Sequence, residues 1–488
     1  MSPELATTLA VFVPFFGSIG IALLDKYPNP REAVTLILAA TLFLLVLSLI
    51  PHVTAGYHPT MQLMEVMPGI SLALEVEPLG LLFALIASGL WIVTSVYSIG
   101  YMRGNKESHQ TRYYICFAIA LFATMGVAFA ANMFTLFVFY EVLTLSTYPL
   151  VAHKGTEEAK RGGRVYLILL LSTSIGFLLL AMVWTWHAAG TLDFVNGGIL
   201  RDKVDPGLLP LLLALYMFGI GKAALMPFHR WLPAAMVAPT PVSALLHAVA
   251  VVKAGVFTVV KVTIYIFGIE LLRDTNATTF MMWIAAITLL AASLVAMTKD
   301  NLKARLAYST VSQLAYVTLG AMLVNTTALI GAGMHIATHA FGKITLFFCA
   351  GAIYVATHKT EISEMNGLGR VMPFTYGAML IGTLSIIGLP PFGGIWSKWY
   401  LAIGTLEAGQ WIMLIVLLFS SLLNIVYLLP IPIYGFFGKS SKQTNAAVIN
   451  EAPLPVVIAL GFSALGCMVL FFFPQPLYGL MALLFAGH

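Results

Sequence analysis

The chain has 488 residues and an apolar composition. Hydrophobic residues make up 60% of it and charged residues only 9%, with a formal net charge of +5. Because soluble domains usually carry about 25% charged residues, these values exclude a water-soluble protein and indicate a polytopic membrane protein. The positive net charge does not predict nucleic-acid binding, since its distribution matters more than its sum.

About fourteen apolar stretches are long enough to span a bilayer, which takes about 20 apolar residues as a helix. The predicted fold class is therefore an all-α polytopic membrane protein. The stretch at 373–406 is interrupted by GLPPFGG, which cannot continue an ideal helix. The predicted spans are 4–24, 33–51, 78–101, 112–130, 132–152, 164–187, 207–228, 241–269, 278–298, 303–324, 327–357, 373–406, 409–436 and 452–474.

The charges of the connecting loops predict the orientation. With the N-terminus outside, 17 of the 25 Lys and Arg residues fall in inner loops, 3 in outer loops and 5 within spans. Inner loops of membrane proteins carry such an excess of Lys and Arg. The sequence therefore predicts a multi-pass protein of the inner (cytoplasmic) cell membrane, with both termini on the outer, periplasmic side.

Ionisable groups remain inside the predicted spans. A charged side chain at a helix centre costs about 2.5–3.5 kcal/mol on insertion scales, so such residues are functional candidates by default. Glu141 is the clear acidic case, midway along its span. The basic residues are Lys222, Lys253, Lys261, Lys343 and Lys398.

Glu141 and Lys222 form the first candidate pair. Paired, each favours the charged form of the other, whereas apart, burial pushes both towards neutrality. Such a pair can act as a switch, and the alternative is a static ion pair that fixes helix packing. Lys222 lies in an apolar stretch that Pro227 and Pro233 then interrupt.

The next span carries three further candidates. Lys253 lies about twelve residues into it, hence roughly 18 Å deep at 1.5 Å per residue, near the middle of the bilayer. Burial disfavours a charged amine, so this lysine suits a proton relay, and pairing with a backbone carbonyl is the alternative. His247 lies nearer the inner side. Lys261 lies nearer the outer surface, where a lysine can also extend to the interface.

The run MHIATHAFGK places His335, His339 and Lys343 at i, i+4 and i+8, along one side of a helix. We interpret the run as a proton wire leading to Lys343. Two histidines four residues apart can also bind zinc, but the acidic residue of an HExxH motif is missing. Lys398 follows the GLPPFGG break and is the natural last station towards the outside, with an interfacial lysine as the alternative.

Two interrupted spans, 219–233 and 388–401, each carry a lysine near the break. Such pairs are typical of transporters with inverted repeats and ion sites at the bilayer midplane. We therefore predict two inverted five-helix repeats with a broken helix in each. The predicted divisions are 1–111 (N-terminal helices), 112–269 (first repeat), 278–436 (second repeat) and 437–488 (C-terminal helix).

The sequence predicts no cofactor and no metal site. Cys116, Cys349 and Cys467 are scattered through apolar runs without a CxxC pair, which argues against iron–sulfur ligation or thiol redox chemistry. The GIGK segment at 219–222 lacks the spacing of a phosphate-binding loop.

The stretch at 215–256 reads LYMFGIGKAALMPFHRWLPAAMVAPTPVSALLHAVAVVKAGV. It resembles the antiporter-like membrane subunits shared by respiratory complex I, membrane-bound hydrogenases and Mrp-type cation/proton antiporters. The resemblance implies that a glutamate on the fifth helix pairs with a lysine on the broken seventh, with further charged residues on the eighth and the broken twelfth. The matching positions here are Glu141, Lys222, Lys253 and Lys398.

Within that family, the chain looks most similar to the D subunit of Mrp-type Na⁺/H⁺ antiporters, on the sequence stretches VVKAGVFTVVK and HAFGKITLFFCAGAIYVATHK. The resemblance implies a non-enzymatic transporter subunit that works with other membrane subunits, protons, monovalent cations and the lipid bilayer, without nucleic acid. The alternatives are a proton-pumping subunit of a redox complex, which would make it part of a translocase, and a scaffold subunit that transports nothing.

Overall fold

Apolar helices build almost all of the protein. The computed structural model describes residues 1–439 and 449–485, and for Leu246 and His247 only the backbone. Within these residues, 10 helices are long and apolar enough to cross a membrane, or up to 11 if the bent pair Val251–Phe267 and Ile269–Thr275 is one span. The chain is therefore a multi-pass membrane protein.

The first 189 residues contain the helix pair α1 and α2, a β-hairpin, and four long helices, which are α4, α5, α6 and the joined α7–α8. A π-helical turn at Ser174–Leu178 joins α7 to α8, so the two continue as one apolar helix. The elements are α1 Pro3–Leu23, α2 Pro28–Leu47, α3 Ile50–Thr54, β1 Thr60–Met67, β2 Ile70–Glu75, α4 Pro78–Gly104, α5 Gln110–Ala128, α6 Met133–Val151, α7 Glu157–Thr173 and α8 Leu179–Ala189.

The hairpin corrects the all-α prediction. β1 and β2 are antiparallel, with Thr60 opposite Glu75 and Met67 opposite Ile70. The chain reverses at Pro68 and at Gly69, which has φ +80°. β2 is anchored to the bundle because the amide of Glu75 donates to the carbonyl of Phe129 at 2.7 Å. This Pro-Gly turn between two short runs of strand-forming residues is a signal that a search for long apolar helices passes over.

The middle of the chain is the most irregular part. A 3₁₀ turn at Gly221–Ala223 follows α9, and π-helical turns at Leu245–Val249 and Thr263–Phe267 flank α12. The helices are α9 Leu209–Gly219, α10 Trp231–Ala234, α11 Thr240–Ala244, α12 Val251–Val262 and α13 Ile269–Thr275.

The remaining helices form the second half of the bundle. The break between α17 and α18 contains Pro390 and Pro391, as the sequence predicts. The helices are α14 Thr279–Met297, α15 Leu302–Met322, α16 Thr326–Thr357, α17 Pro373–Ile387, α18 Gly394–Glu407, α19 Trp411–Leu428, α20 Pro430–Phe437, α21 Leu454–Phe472 and α22 Gln475–Ala482.

Helices α12 and α16 lie at the centre of the bundle. Every residue of α12 is buried. α16 packs against α15, α17, α18 and α21, and it also contacts α12. Because these helices are enclosed by others, their polar side chains must find partners inside the protein.

Each of the fourteen predicted spans contains a helix, but the count of fourteen stays a prediction. Three of the predicted spans coincide with helices outside the set of long apolar ones: α9 and α17, which are short, and α15. The loops that the prediction places on one side do meet in space. One cavity is lined by residues at 101, 154, 237, 302 and 360, all assigned to the inner side.

Candidate functional site

Lys222 lies in the helix break itself. The sequence predicts it within an apolar helix, but α9 ends at Gly219 and Lys222 occupies the following 3₁₀ turn. Packing holds this segment close to its neighbour, because a Cβ on Gly219 would clash with the backbone of Leu178. The turn points the ammonium towards α6, where Lys222 is fully buried.

The ammonium of Lys222 is satisfied by uncharged groups. Its Nζ donates to the carbonyl of Tyr140 at 2.8 Å and to the hydroxyl of Thr144 at 2.5 Å. It also lies 3.2 Å from the centre of the Tyr140 ring, a cation–π arrangement. The backbone amide of Lys222 donates to the Tyr140 hydroxyl at 3.0 Å.

Glu141 follows Tyr140 on α6 and lies close enough to Lys222 for an electrostatic interaction, but not in direct contact with it. Among the described residues no ion pair within 4.0 Å joins it to Lys222. Both carboxylate oxygens are buried without a hydrogen-bond partner in the same part of the chain. The direct pair that the sequence predicted is therefore not formed. The ammonium lies against Tyr140 and Thr144, which are four residues apart on one face of α6, and these two residues hold it instead.

Lys253 on α12 contacts α16. Its Nζ lies 2.5 Å from Nδ1 of His339, and both side chains are at most 2% exposed. Within the described part of the chain, no carboxylate lies within 4.0 Å of the Lys253 amine. An amine beside a neutral imidazole can pass a proton to it directly.

His335 is the branch point of the network. Its ring stacks on that of His339 with centroids 5.8 Å apart. Nδ1 of His335 is hydrogen-bonded to the hydroxyl of Ser397 at 2.9 Å, and Nε2 to Oε1 of Gln313 at 3.1 Å. The Ser397 hydroxyl also contacts that of Thr338 at 3.0 Å. Both ring nitrogens therefore have a polar partner, one on α18 and one on α15.

One branch leads to Lys398. The ring of Tyr316 stacks on His335 at 5.5 Å, and its hydroxyl is 3.1 Å from that of Ser421. Lys398 donates to the same Ser421 hydroxyl at 3.1 Å and to the carbonyl of Ile387 at 3.0 Å. Ile387 is the last residue of α17, so the helix break supplies a free carbonyl, as helix C-termini do. Lys398 is partly exposed, and its amine is hydrogen-bonded to the network.

The other branch leads to Lys343. Gln313 donates to Oδ1 of Asn424 at 3.5 Å, and the hydroxyl of Tyr427 donates to the same oxygen. The Tyr427 hydroxyl also lies 3.0 Å from that of Ser309, to which Lys343 donates at 2.6 Å. The His335-to-Lys343 connection therefore runs through α15 and α19.

This geometry corrects the predicted wire along one face of α16. His339 points to α12, His335 to α18 and α15, and Lys343 to α15. Residues eight apart on a helix are rotated by only about 80° at 3.6 residues per turn, so the three side chains share one broad face of α16, but the contacts that link His335 to Lys343 pass through α15 and α19. His247 lies outside the side chains that the structure describes, and its part in the relay stays a prediction.

Neutral residues join the titratable groups, and the sequence patterns did not predict their part. Their common feature is a hydroxyl or amide on a helix of the bundle, and all of them except the partly exposed Ser421 are buried. Single polar residues in apolar spans are the signal that could have pointed to them. They are Ser309, Gln313, Tyr316, Ser397, Ser421, Asn424 and Tyr427.

Lys261 does not extend to the interface. It is 1% exposed, and its Nζ lies 3.2 Å from Oε1 of Glu77 and donates to the carbonyl of Ala130 at 2.9 Å. Glu77 caps the N-terminus of α4, accepting from the amides of Leu79 and Gly80. Glu77 was not among the predicted site residues, although its position one residue before a Pro-initiated apolar helix is a cap signal.

Comparison with known proteins identifies related membrane subunits. Residues 130–424 match the family model described as "NADH:quinone oxidoreductase/Mrp antiporter, TM". NADH-quinone oxidoreductase subunit N of Desulforudis audaxviator is 33% identical over 80% of this chain and 77% of its own length. The A-type subunit of the Na⁺/H⁺ antiporter of Alkalihalophilus pseudofirmus is 30% identical over 84% of this chain, which spans only 53% of that relative.

Two solved structures share the fold. A chain of the Mrp complex from Dietzia superposes with a TM-score of 0.88 at 20% identity, covering 99% of this chain and 97% of that one. A chain of an archaeal membrane-bound sulfane sulfur reductase gives 0.87 at 23% identity, covering 98% and 96%. At such identities the likeness extends to the fold alone.

Proposed function

The chain belongs to the NADH:quinone oxidoreductase/Mrp antiporter family of membrane subunits, and from that premise we propose that it is the proton-translocating subunit of a multisubunit monovalent cation (Na⁺)/H⁺ antiporter. Protons move through the buried relay of Glu141, Lys222, Lys253, His335 and His339, then Lys343 and Lys398, with His247 on its inner side. The similarity of two sequence stretches to those of D-type subunits supports a role within an Mrp-type complex.

One observation carries the proposal: Lys253, Lys343 and Lys398 are joined inside the bundle by hydrogen bonds and, at the His339–His335 and His335–Tyr316 steps, by stacked rings. Groups that accept and donate protons at successive short distances are what proton transfer needs. A network built only to stabilise the fold has no use for three lysine amines inside the bundle that, among the described residues, have no carboxylate within 4.0 Å.

Coupling between the sites is electrostatic. Protonating one member of a set of interacting groups changes the proton affinity of the next. A change of charge at one end of the relay therefore alters the proton affinity of groups at the other end. In the proposed complex, inward proton flow drives outward movement of Na⁺. Two inverted five-helix repeats, fourteen spans and both termini on the outer side of the inner membrane are part of this proposal.

The relatives favour a second candidate function. The Desulforudis subunit and, at 29% identity over 82% of this chain, hydrogenase-4 component B of Escherichia coli are parts of redox enzymes by name. The same relay would then move protons outwards, driven by electron transfer in partner subunits. The two functions differ in their energy source, which can be measured.

The test uses the intact native complex, purified and reconstituted in liposomes with pH- and Na⁺-sensitive dyes. A Na⁺ gradient alone drives proton flux if the first function is right, whereas flux that appears only with an electron donor supports the second. Lys253→Met abolishes flux in either case. Lys203→Met, at an exposed position, is the matched control and retains it. Native flux in the Lys253→Met complex would leave only a scaffold role.

A further inference from the structure

A small cavity of about 130 Å³ lies at the opposite end of the molecule from the inner cavity. The hairpin, the start of α4, the end of α12 and the segment after α22 enclose it, and the orientation prediction places all of these on the outer side. The titratable side chains that face it are His58, Glu75, Glu77, Lys261 and Tyr265.

Glu77 and Lys261 form the floor of this cavity. Their side chains are 6% and 1% exposed, so this is an ion pair removed from water. The hydroxyl of Tyr265 donates to Oε2 of Glu77 at 3.2 Å. Removing both charges of such a pair from water costs free energy that their attraction does not always recover. A contribution to stability is therefore not a sufficient explanation for this pair.

His58 and Glu75 form the rim. Nδ1 of His58 lies 3.4 Å from Oε1 of Glu75, and the two side chains are 40% and 29% exposed. The hydrogen bond to Glu75 raises the pKa of His58 above its ordinary value. From floor to rim, the cavity thus offers a carboxylate in a dry setting and then a carboxylate–imidazole pair in contact with water.

The floor lies on the same helix as the relay. Lys261 follows Lys253 by eight residues, about 12 Å at 1.5 Å per residue. Phe257 stands between them, with its ring 5.1 Å from that of Phe83 and 5.4 Å from Nζ of Lys261. An aromatic pair therefore separates the relay from the cavity, which prevents uncontrolled leakage of protons.

We propose that Glu77 and Lys261 are the outer terminus of the proton path, exchanging protons with the bulk through Glu75 and His58 and separated from Lys253 by the Phe83–Phe257 pair. The inference rests on the proposed function, and it assigns the outer exit to the Glu77–Lys261 pair and not to Lys398, which the sequence predicts as the last station. For inward flow, a proton leaves the imidazolium of His58, which becomes neutral, and binds a carboxylate oxygen of Glu77. When the Phe257 ring moves aside, water enters the gap; Glu77 then gives its proton to this water, and the water passes a proton to the neutral amine of Lys253, which becomes an ammonium. Lys261 positions Glu77 and, by its charge, favours rapid release.

The first test is proton flux in liposomes that contain the complex with Glu77→Gln and Lys261→Met together. This double variant leaves no unpaired buried charge, so we expect normal assembly, and flux falls by roughly 10²-fold, the usual effect of losing a positioned proton acceptor. Glu65→Gln on the exposed face of the hairpin is the matched control and keeps native flux.

The second test is the pH profile of flux measured by varying the pH on the cavity side. His58→Gln leaves assembly intact and removes the inflection that His58 contributes, which a purely structural pair would not alter. An assembled double variant with native flux, or a His58→Gln profile identical to the native one, overturns the inference. Loss of flux in Lys253→Met with native flux in the double variant would reject the outer terminus while leaving the proposed function in place.

Discussion

Two regions of this protein bury lysine in opposite ways. In the centre, the polar partners of Lys253, Lys343 and Lys398 are an imidazole, hydroxyls and carbonyls. Near the predicted outer face, Lys261 has a carboxylate at 3.2 Å. Burial disfavours a charged amine, and a close opposite charge restores it. The two regions therefore differ in what surrounds the amine: the central lysines contact imidazole, hydroxyl and carbonyl groups, whereas Lys261 contacts a carboxylate.

The two regions therefore respond differently to the loss of one amine. Removing a central lysine takes away a group whose neighbours are neutral. Removing Lys261 leaves Glu77 as an isolated buried charge. Stability and transport thus separate: the centre matters for flux, and the outer pair matters for both.

The largest expected effect on stability is that of Lys261→Met. Breaking a buried ion pair by removing one partner costs about 3–5 kcal/mol, so the melting temperature of the complex in detergent drops strongly. Adding Glu77→Gln recovers much of it, because no charge is then left unpaired. Lys253→Met removes an amine that has no carboxylate within 4.0 Å in the described part of the chain, so the melting temperature stays close to native. An equal loss in both single variants would contradict the comparison.

A steric change near Lys222 tests the packing of the relay. A Cβ on Gly255 would clash with the backbone of Lys222, and such overpacking costs about 1–3 kcal/mol. Gly255→Ala therefore lowers thermal stability and, by shifting Lys222, reduces flux. Gly461→Ala on α21 has nothing within 4 Å of the added methyl and serves as control. If both variants behave alike, close packing of α12 on the turn is not required.

Gln313→Leu tests the branch point. It removes the acceptor of His335 and the donor to Asn424, and an unsatisfied buried group costs about 1–3 kcal/mol. We expect reduced flux, measured by the rate of dye response, with assembly retained. Gln62→Leu on the hairpin controls for loss of an amide. Native flux would show that the Lys343 branch carries no protons.

The smallest effect concerns pH and the rim of the outer cavity. The folded-state pKa of His58 is raised by Glu75, so its contribution is fully present below the unfolded pKa of about 6.5 and is lost as pH rises through the folded value. Because both side chains are partly exposed, the contribution is about 0.2–1 kcal/mol. Melting curves of native protein and His58→Gln therefore converge as the pH rises and differ most in mildly acidic buffer. A gap that widens with pH would contradict the assigned pair.

Several features were predictable from local sequence. The membrane class follows from the composition, and the helix break near Lys222 follows from its Gly and Pro residues. The family follows from the sequence of one stretch, and the family model confirms it. Of the site predictions, a direct Glu141–Lys222 ion pair is not formed among the described residues. The connection from His335 to Lys343 runs through α15 and α19 and not along α16 alone. The hairpin was missed because its strands are short and half exposed.

The partners of the buried groups were beyond local inference. Lys253 and His339 are 86 positions apart, and Lys261 is far from Glu77 in the chain. Which of them meet depends on how α4, α12, α15 and α16 pack, and on where turns such as Leu245–Val249 rotate a helix about its axis.

By itself, the sequence determined that this protein lies in a membrane and commits five lysines and a glutamate to its interior, since hydropathy and periodicity are local properties. Only the tertiary structure decided that Lys261 receives a carboxylate while Lys253, Lys343 and Lys398 receive neutral acceptors. The physical reason is that the charge state of a buried amine depends on atoms a few ångströms away. Here those atoms come from helices remote in the chain.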